Sequence, residues 1–198
     1  MGNKEVKECR YRRRKNLYRM ILGVQQFINY PFLNIIWVLF AVVIFGMIKG
    51  AKVFVKNVEV ASMFSTIFPA CIKIVVILVS LILVIGILQL VGYGFAVRDE
   101  SDMEYIFGNR LDAKKQYALL IYKRKDTRTG VIKRQFATTI PLHIWRDNKE
   151  TLCDIMNICL VSEIGYGGKK KNNGRRVCFE SVKGRKPPER EVLYDEIK

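Results

Sequence analysis

Residues 74–97 read IVVILVSLILVIGILQLVGYGFAV, a run of 24 residues without a charged side chain. As an α-helix this run reaches about 36 Å, at about 1.5 Å per residue, which exceeds a hydrocarbon core about 30 Å thick. A helix that is apolar on every face is unsuited to the surface of a soluble domain, whereas lipid solvates it well. The run therefore predicts a membrane-spanning helix, and the other segments are interpreted around it.

A second uncharged run covers residues 31–48, PFLNIIWVLFAVVIFGMI. Its 18 residues reach about 27 Å as a helix, near the lower limit for crossing a bilayer. Pro31 suits the first turn of a helix, and Tyr30 and Trp37 are typical of a membrane–water interface. The two runs predict a transmembrane hairpin over residues 31–97. In the connection between the two runs, apolar and polar residues alternate loosely over residues 51–60, which is compatible with a short strand or hairpin. Pro69 suits the start of the second helix.

The formal charge of +16 is unevenly distributed, since residues 1–30 hold eight Lys or Arg against two acids. This density predicts an anionic lipid leaflet as the first partner of the chain. Cations near the ends of the runs are more frequent in the N-terminal flank and after Val97 than in the connection between the runs. By the positive-inside rule, both termini are expected on the cytoplasmic side of the cell membrane.

Residues 1–30 form a basic segment with an amphipathic pattern. Apolar residues recur at helical spacing in its second half, at Leu17, Met20, Ile21, Val24 and Ile28. The candidate contacts with anionic lipid are the cations that precede or flank them: Arg12, Arg13, Arg14, Lys15 and Arg19. Two interpretations stay open, an interfacial helix lying on acidic lipid or a cytoplasmic extension of the first span.

Residues 98–198 read as one small soluble domain with a ββαβ order. Strands over residues 116–123 and 131–139, joined by a turn at 124–130, predict a hairpin. Leu152, Ile155, Met156 and Cys159 define one face of a helix that is expected to end before Gly165. Residues 175–182 form the third strand, and their alternation predicts Val177 and Phe179 on one side and Cys178 and Glu180 on the other. The predicted fold class is an α+β membrane protein, a two-helix transmembrane hairpin followed by a cytoplasmic ββαβ domain.

The sequence offers few residues that could carry catalysis or bind a metal. Four acids fall between Asp99 and Glu104, and the expected explanation is a helix start capped by Asp99 or Ser101 rather than a metal site. The five cysteines form no CxxC pair, and His143 is the only histidine. No metal-ligand spacing and no activated nucleophile can be assembled from these residues. The sequence predicts no catalytic, metal or cofactor-binding residue, and a protein that is not an enzyme.

Residues 165–176, GYGGKKKNNGRR, mix glycines with cations. The spacing GxxxxGK[ST] of a phosphate-binding loop fails at every glycine, and a strand is predicted to follow. We therefore expect a basic loop tip. It is a candidate contact for nucleic acid or another anionic partner, or else a solvated tip, through Lys169, Lys170, Lys171, Arg175 and Arg176.

The segment Val91-Gly92-Tyr93-Gly94-Phe95 is similar to the selectivity filter of potassium channels. A filter needs a preceding pore helix and a following span, and no further apolar run follows residue 97. The glycines are better explained by close helix packing or by bending of the helix at the membrane interface.

The layout resembles the N-terminal region of FtsK/SpoIIIE-type DNA translocases and of the coupling proteins of Gram-positive conjugative elements. The residues that carry the resemblance are Thr139-Ile140-Pro141-Leu142, Trp145, Met156-Asn157, the strand over 175–182 and Gly184-Arg185. In those proteins two close spans and a small α/β domain precede an ATPase motor. The sequence contains neither a P-loop nor a Walker B strand, so the resemblance implies an anchor without its motor.

Taken together, these features predict a non-enzymatic membrane anchor and interaction subunit of a bacterial DNA-transfer or envelope assembly. The expected partners are the lipid bilayer, further subunits of a homo- or hetero-oligomer, and a partner ATPase. The alternative is a membrane-tethered nucleic-acid-binding protein. A small channel or transporter is disfavoured because neither apolar run carries a charged residue.

Overall fold

The computed structural model describes residues 3–58, 64, 67–114, 116–168 and 172–185. It divides into two compact units. Unit 1 comprises Met1–Arg98 with Leu119–Tyr122, and unit 2 comprises Asp99–Ala118 with Lys123–Lys198. The chain is an α+β protein in which two long apolar helices precede an antiparallel sheet with short helices.

Unit 1 is built from long helices. Helix α1 spans Asn3–Asn29, a 3-10 turn spans Pro31–Asn34, α2 spans Ile35–Asn57, and α3 begins at Ile67 and ends at Lys114. Pro31 starts the 3-10 turn and Pro69 lies in the first turn of α3, as their fixed φ and missing N–H favour. The helices Pro31–Asn57 and Ile67–Gly108 are long and apolar enough to cross a membrane, by length and composition.

Helix α2 is longer than the uncharged run that predicts it. Residues 51–57 are helical, so the short strand or hairpin left open for residues 51–60 does not form in this part. Val58 caps the helix through a hydrogen bond from its N–H to the Phe54 carbonyl. Continuing the helix pairs each N–H with the carbonyl four residues earlier, which an isolated strand cannot do. Residues 59–63 lie outside the described part of the chain.

Helix α3 also continues beyond its apolar run. The helix start expected at Asp99 or Ser101 is wrong, because both residues lie inside the 48-residue helix. Their N–H groups are paired within the helix and need no cap. Asp99 has a different role, described below.

Glycines bring α1 and α3 into backbone contact. A Cβ atom at Gly23 would collide with the Leu88 carbonyl oxygen, and a Cβ atom at Gly92 would collide with the Arg19 carbonyl oxygen. Two glycines therefore face two carbonyls reciprocally, as at helix contacts built from small residues. The explanation of Gly92 by helix packing is confirmed, whereas Gly94 faces open space.

Unit 2 contains most of a five-stranded antiparallel sheet. The strands are β1 (Ala118–Lys125), β2 (Ile132–Thr138), β3 (Ile158–Leu160), β4 (Gly165–Gly167) and β5 (Asn173–Lys183). The order is β1-β2-β5-β3, with β4 also paired to β5. Strand β2 pairs with β5 from Ile132 opposite Ser181 to Ala137 opposite Arg176. The predicted hairpin is confirmed as β1–β2.

The predicted ββαβ order is correct for the three long strands, but the elements between β2 and β5 differ from the prediction. Two short helices, α4 (Leu142–Asp147) and α5 (Lys149–Met156), replace the single helix, and β3 and β4 were not predicted. Asn157 adopts a left-handed conformation at φ 49° and ends α5. Cys159 consequently lies in β3, opposite Val182 of β5, and not on the helix face.

An aromatic cluster forms the core of unit 2. Trp145 is fully buried, with its ring centroid 4.9 Å from Phe107 and 5.5 Å from Phe136, and Phe136 stacks on Phe179 at 5.9 Å. The predicted alternation along β5 is confirmed, since Val177, Phe179 and Ser181 are buried while their neighbours are not.

Gly92→Ala is expected to weaken the packing of α1 on α3, because the added methyl group would overlap the Arg19 carbonyl. Overpacking of this kind costs about 1–3 kcal/mol. Gly94→Ala is the matched control, since its Cβ has no heavy atom within 4 Å and the change raises helix propensity by about 1 kcal/mol. Denaturant unfolding of the full chain in micelles measures both variants. Equal stability of the two would contradict the contact.

Candidate interaction surfaces

A buried ion-pair network joins α3 to the sheet within unit 2. The Asp99 carboxylate accepts hydrogen bonds from Lys123 Nζ and from Arg134 Nε, each at 3.0 Å, and Arg134 Nη1 donates to Ser181 Oγ at 2.6 Å. Asp99, Arg134 and Ser181 are all buried. Because unpaired buried charges are costly, this network fixes which residues of α3 face the sheet.

The sequence of β2 carries a signal for this network that was not among the predicted features. In β2 the inward positions alternate as Ile132, Arg134, Phe136 and Thr138. An arginine on the core face of a strand requires a buried acceptor, and an acid on a packed helix is the usual source. The acidic group from Asp99 to Glu104 contained that acceptor.

The five N-terminal cations predicted to contact lipid do not share one environment. Arg12, Arg13 and Arg14 are exposed on α1, and Lys15 is half-buried. Arg19 is 5% exposed, and its guanidinium carbon lies 5.6 Å from the centre of the Tyr93 ring on α3. The structure thus places four of these cations at or near the surface and packs the fifth against α3.

Helix α1 has its polar and apolar faces reversed relative to a helix on a soluble core. The buried side, which includes the α3 contact, combines polar or small residues with few large apolar ones: Arg19, Leu22, Gly23, Gln26 and Phe27. The opposite side exposes four of the residues that defined the predicted apolar face: Leu17, Ile21, Val24 and Ile28. The hydrophobic effect favours apolar surroundings for the side of α1 that exposes these residues.

The structure describes only part of the predicted basic tip. Lys169, Lys170 and Lys171 lie outside the described residues. Arg175 is exposed near the start of β5, where its N–H donates to Asn173 Oδ1 at 3.0 Å, and Arg176 is half-buried. As consecutive residues of a strand they point to opposite faces of the sheet. The Asn173-Gly174 pair, expected in the turn, begins β5.

A second basic segment, which we call the basic turn, is residues 124–130, the last two residues of β1 and the turn that follows them. Arg124, Lys125 and Arg128 are exposed there. Asp126 organises the turn, accepting hydrogen bonds from the Arg128 N–H at 3.0 Å and from Thr129 Oγ1 at 2.7 Å. These two bonds, that from Thr129 first, lower the pKa of Asp126, so it remains a carboxylate at neutral pH.

The groups with potential reactivity among the described residues include His143 and Cys153. His143 is exposed and lines an open groove of about 830 Å³ together with Arg146, Glu163 and Cys178. Burial raises the pKa of the Cys153 thiol, which keeps it protonated and slow to react. Within the described ranges, no three His, Cys, Asp or Glu side chains are placed to hold a metal ion.

Comparison with known proteins gave a likeness to a solved structure. No protein-family model and no curated protein matches the chain. Among solved structures, the chain is similar to the pCW3 conjugation coupling protein TcpA in its monomer form with ATPγS, at 23% identity and a TM-score of 0.37. The match covers 44% of this chain and 25% of that one, so the chain spans about a quarter of the coupling protein. That protein is of the class that the sequence resemblance names. This partial likeness transfers neither fold nor function, so the role of the chain rests on its own residues.

Asp99→Asn is expected to destabilise unit 2, since it leaves Arg134 buried without its carboxylate. Breaking a buried pair in this way costs about 3–5 kcal/mol. The matched control is Glu180→Gln, which removes a half-exposed ion pair with Lys133 at 2.8 Å and should cost at most about 1 kcal/mol. Urea unfolding followed by Trp145 fluorescence in a Trp37→Phe background measures both. Equal losses would show that Asp99 contributes no more than a surface pair.

Proposed function

We propose that this chain is a non-enzymatic membrane anchor, in which α2 and the apolar part of α3 cross the cell membrane and unit 2 serves as a cytoplasmic interaction module. The observation that carries the proposal is the exposure of the apolar helices. In the most apolar window of each, no residue is buried inside the protein. A core helix of a soluble protein would bury most of that surface.

The reversed faces of α1 support the same placement. Its apolar side points away from α3 while Arg19 and Gln26 are buried. This pattern suits a helix lying in the cytoplasmic leaflet, with its apolar side toward the acyl chains and Arg12, Arg13 and Arg14 among the headgroups. Of the two interpretations of residues 1–30, the interfacial helix is therefore the one we propose.

Aromatic residues where α1 meets α2 agree with an interfacial position. Phe27 and Trp37 lie 5.2 Å apart by ring centroids, and Tyr30 stacks on Phe95 at 5.5 Å. Tyr and Trp favour the headgroup level because one end of the ring is apolar and the other polar. Residues 27–37 and the end of the apolar run near Phe95 would then lie at one membrane surface, the cytoplasmic one by the count of cations.

The setting that we propose is a bacterial DNA-transfer or envelope assembly, where the chain recruits a partner ATPase and forms an oligomer. It derives from the sequence resemblance to coupling proteins. Several residues of that resemblance, Ile140, Leu142 and Trp145 among them, are buried in unit 2. They support a shared domain architecture, and the partner would bind exposed residues elsewhere on unit 2.

Single cysteines at Thr127 and Val58, in a background with the native cysteines changed to alanine, test the placement. Val58 caps α2 between the two candidate spans, and Thr127 lies in the basic turn. A membrane-impermeant maleimide added to intact cells should label Val58→Cys and spare Thr127→Cys until the cells are opened. Labelling of Thr127→Cys from outside, or recovery of the chain without detergent in the soluble fraction, would contradict the proposal.

The alternative function is membrane-tethered binding of nucleic acid, favoured by the exposed Arg175, which follows the lysines at 169–171 in the sequence. It predicts that the reconstituted chain binds DNA with an affinity that falls steeply as salt rises. Neutralising Lys169, Lys170, Lys171, Arg175 and Arg176 to glutamine should abolish this binding, whereas neutralising Arg12, Arg13 and Arg14 should not. Absence of binding at low salt would eliminate the alternative.

A further inference from the structure

One end of unit 2 is the end at which the chain enters it from the apolar run of residues 74–97. Asp99 is the first residue of unit 2 and follows residues 74–97 with only Arg98 between. Its carboxylate lies 3.0 Å from the Nζ of Lys123, which stands two residues before the end of β1. The basic turn therefore lies at the end of unit 2 where the chain leaves the apolar run.

The opposite end of the sheet carries Arg175 and Arg176. Arg134, which pairs with Asp99, stands opposite Phe179, and Ala137 stands opposite Arg176. Strands rise about 3.3–3.4 Å per residue, so Arg176 lies about 10 Å further along the sheet from Asp99 than Arg134 does. Arg175 lies beyond it, nearer the start of β5. The basic turn and the Arg175–Arg176 pair thus lie at opposite ends of unit 2.

The basic turn has a fixed shape and an excess of positive charge. Arg124, Lys125 and Arg128 are exposed, and Asp126 is the only acid in residues 124–130. The Asp126 carboxylate is engaged by Thr129 and the Arg128 N–H, and the Gly130 N–H donates to the Asp126 carbonyl at 2.9 Å. Gly130 adopts φ 71°, a conformation that glycine takes without strain. The cations are therefore presented on an ordered turn.

We propose that the basic turn is a docking surface for anionic lipid headgroups that holds unit 2 against the cytoplasmic leaflet. The inference rests on the proposed membrane placement of residues 74–97, which puts Asp99 near the headgroups. Cations next to Asp99 then fall within a Debye length, about 8–10 Å, of an anionic surface, where each Lys or Arg is attracted. Arg175 would face the cytoplasm, away from lipid and available to other partners.

The test measures the distance of each end of unit 2 from the membrane in the full chain. A fluorescent amino acid is incorporated at Thr127 or, as the distal probe, at Asn172, and the chain is reconstituted into vesicles with an energy acceptor on some headgroups. Vesicles of phosphatidylcholine alone are compared with vesicles that also contain phosphatidylglycerol. Transfer from residue 127 should rise with phosphatidylglycerol and exceed transfer from residue 172.

Charge variants show whether the basic turn causes the effect. Each of Arg124→Gln, Lys125→Gln and Arg128→Gln should lower the ratio of docked to undocked unit 2 by about fivefold. Arg175→Gln with Arg176→Gln is the matched control and should leave transfer from residue 127 unchanged. Trp145 fluorescence and flotation with the vesicles verify that each variant is folded and inserted.

The outcomes separate this inference from the proposed function. Failure of the unaltered chain to float with vesicles would refute the membrane placement itself. A chain that floats but shows equal transfer from residues 127 and 172, or no response to phosphatidylglycerol, would overturn the docking surface and leave the anchor intact. Higher transfer from residue 172 would also overturn it, by making the β4–β5 end the lipid-facing one.

Discussion

The outward orientation of apolar side chains on α2 and α3 is the constraint on which the rest of the structure depends. These helices leave their most apolar windows unburied, and α1 turns a third apolar stripe outward while burying Arg19 and Gln26. In water this surface would cost on the order of 25 cal/mol for each Å² exposed. In hydrocarbon this cost disappears. A helix is suited to that environment because its backbone N–H and C=O groups are hydrogen-bonded to one another.

Two sets of contacts hold the elements of each unit together. Gly23 and Gly92 let α1 approach the backbone of α3, which an added Cβ on either would prevent. Without a hydrophobic driving force between helices in lipid, such close packing is a main source of helix association. In unit 2, Asp99 joins α3 to the sheet through Lys123 and Arg134. That network lies where the sequence changes from uncharged to charged, and it gives the sheet a fixed position on residues 99–107 of the helix.

The parts of the fold that sequence predicts well are those set by long patterns. The uncharged runs predict α2 and the first part of α3. The alternation of apolar and polar residues predicts the β1–β2 hairpin and the inward face of β5. Helix ends were missed, since α2 continues to Asn57 and α3 to Lys114 through residues that are merely compatible with a helix. Strands β3 and β4 have three residues each and exist because β5 pairs with them, a tertiary effect with no local period. The candidate surfaces also depend on tertiary contacts. By composition Arg19 belongs with its basic neighbours, but Arg19 is buried because Gly92 of α3 allows the two helices to approach closely at this point.

Photolabelling in membranes tests the central claim most directly. A carbene reagent that partitions into hydrocarbon is activated in vesicles containing the full chain, and the labelled residues are located by mass spectrometry. The account predicts labelling at exposed apolar positions such as Val42, Ile82 and Leu90, and also on the outer side of α1 at Ile21 and Ile28, with Leu22 and Ala96 spared. Absence of label from α2 and α3, or equal labelling of exposed and buried positions, would contradict it.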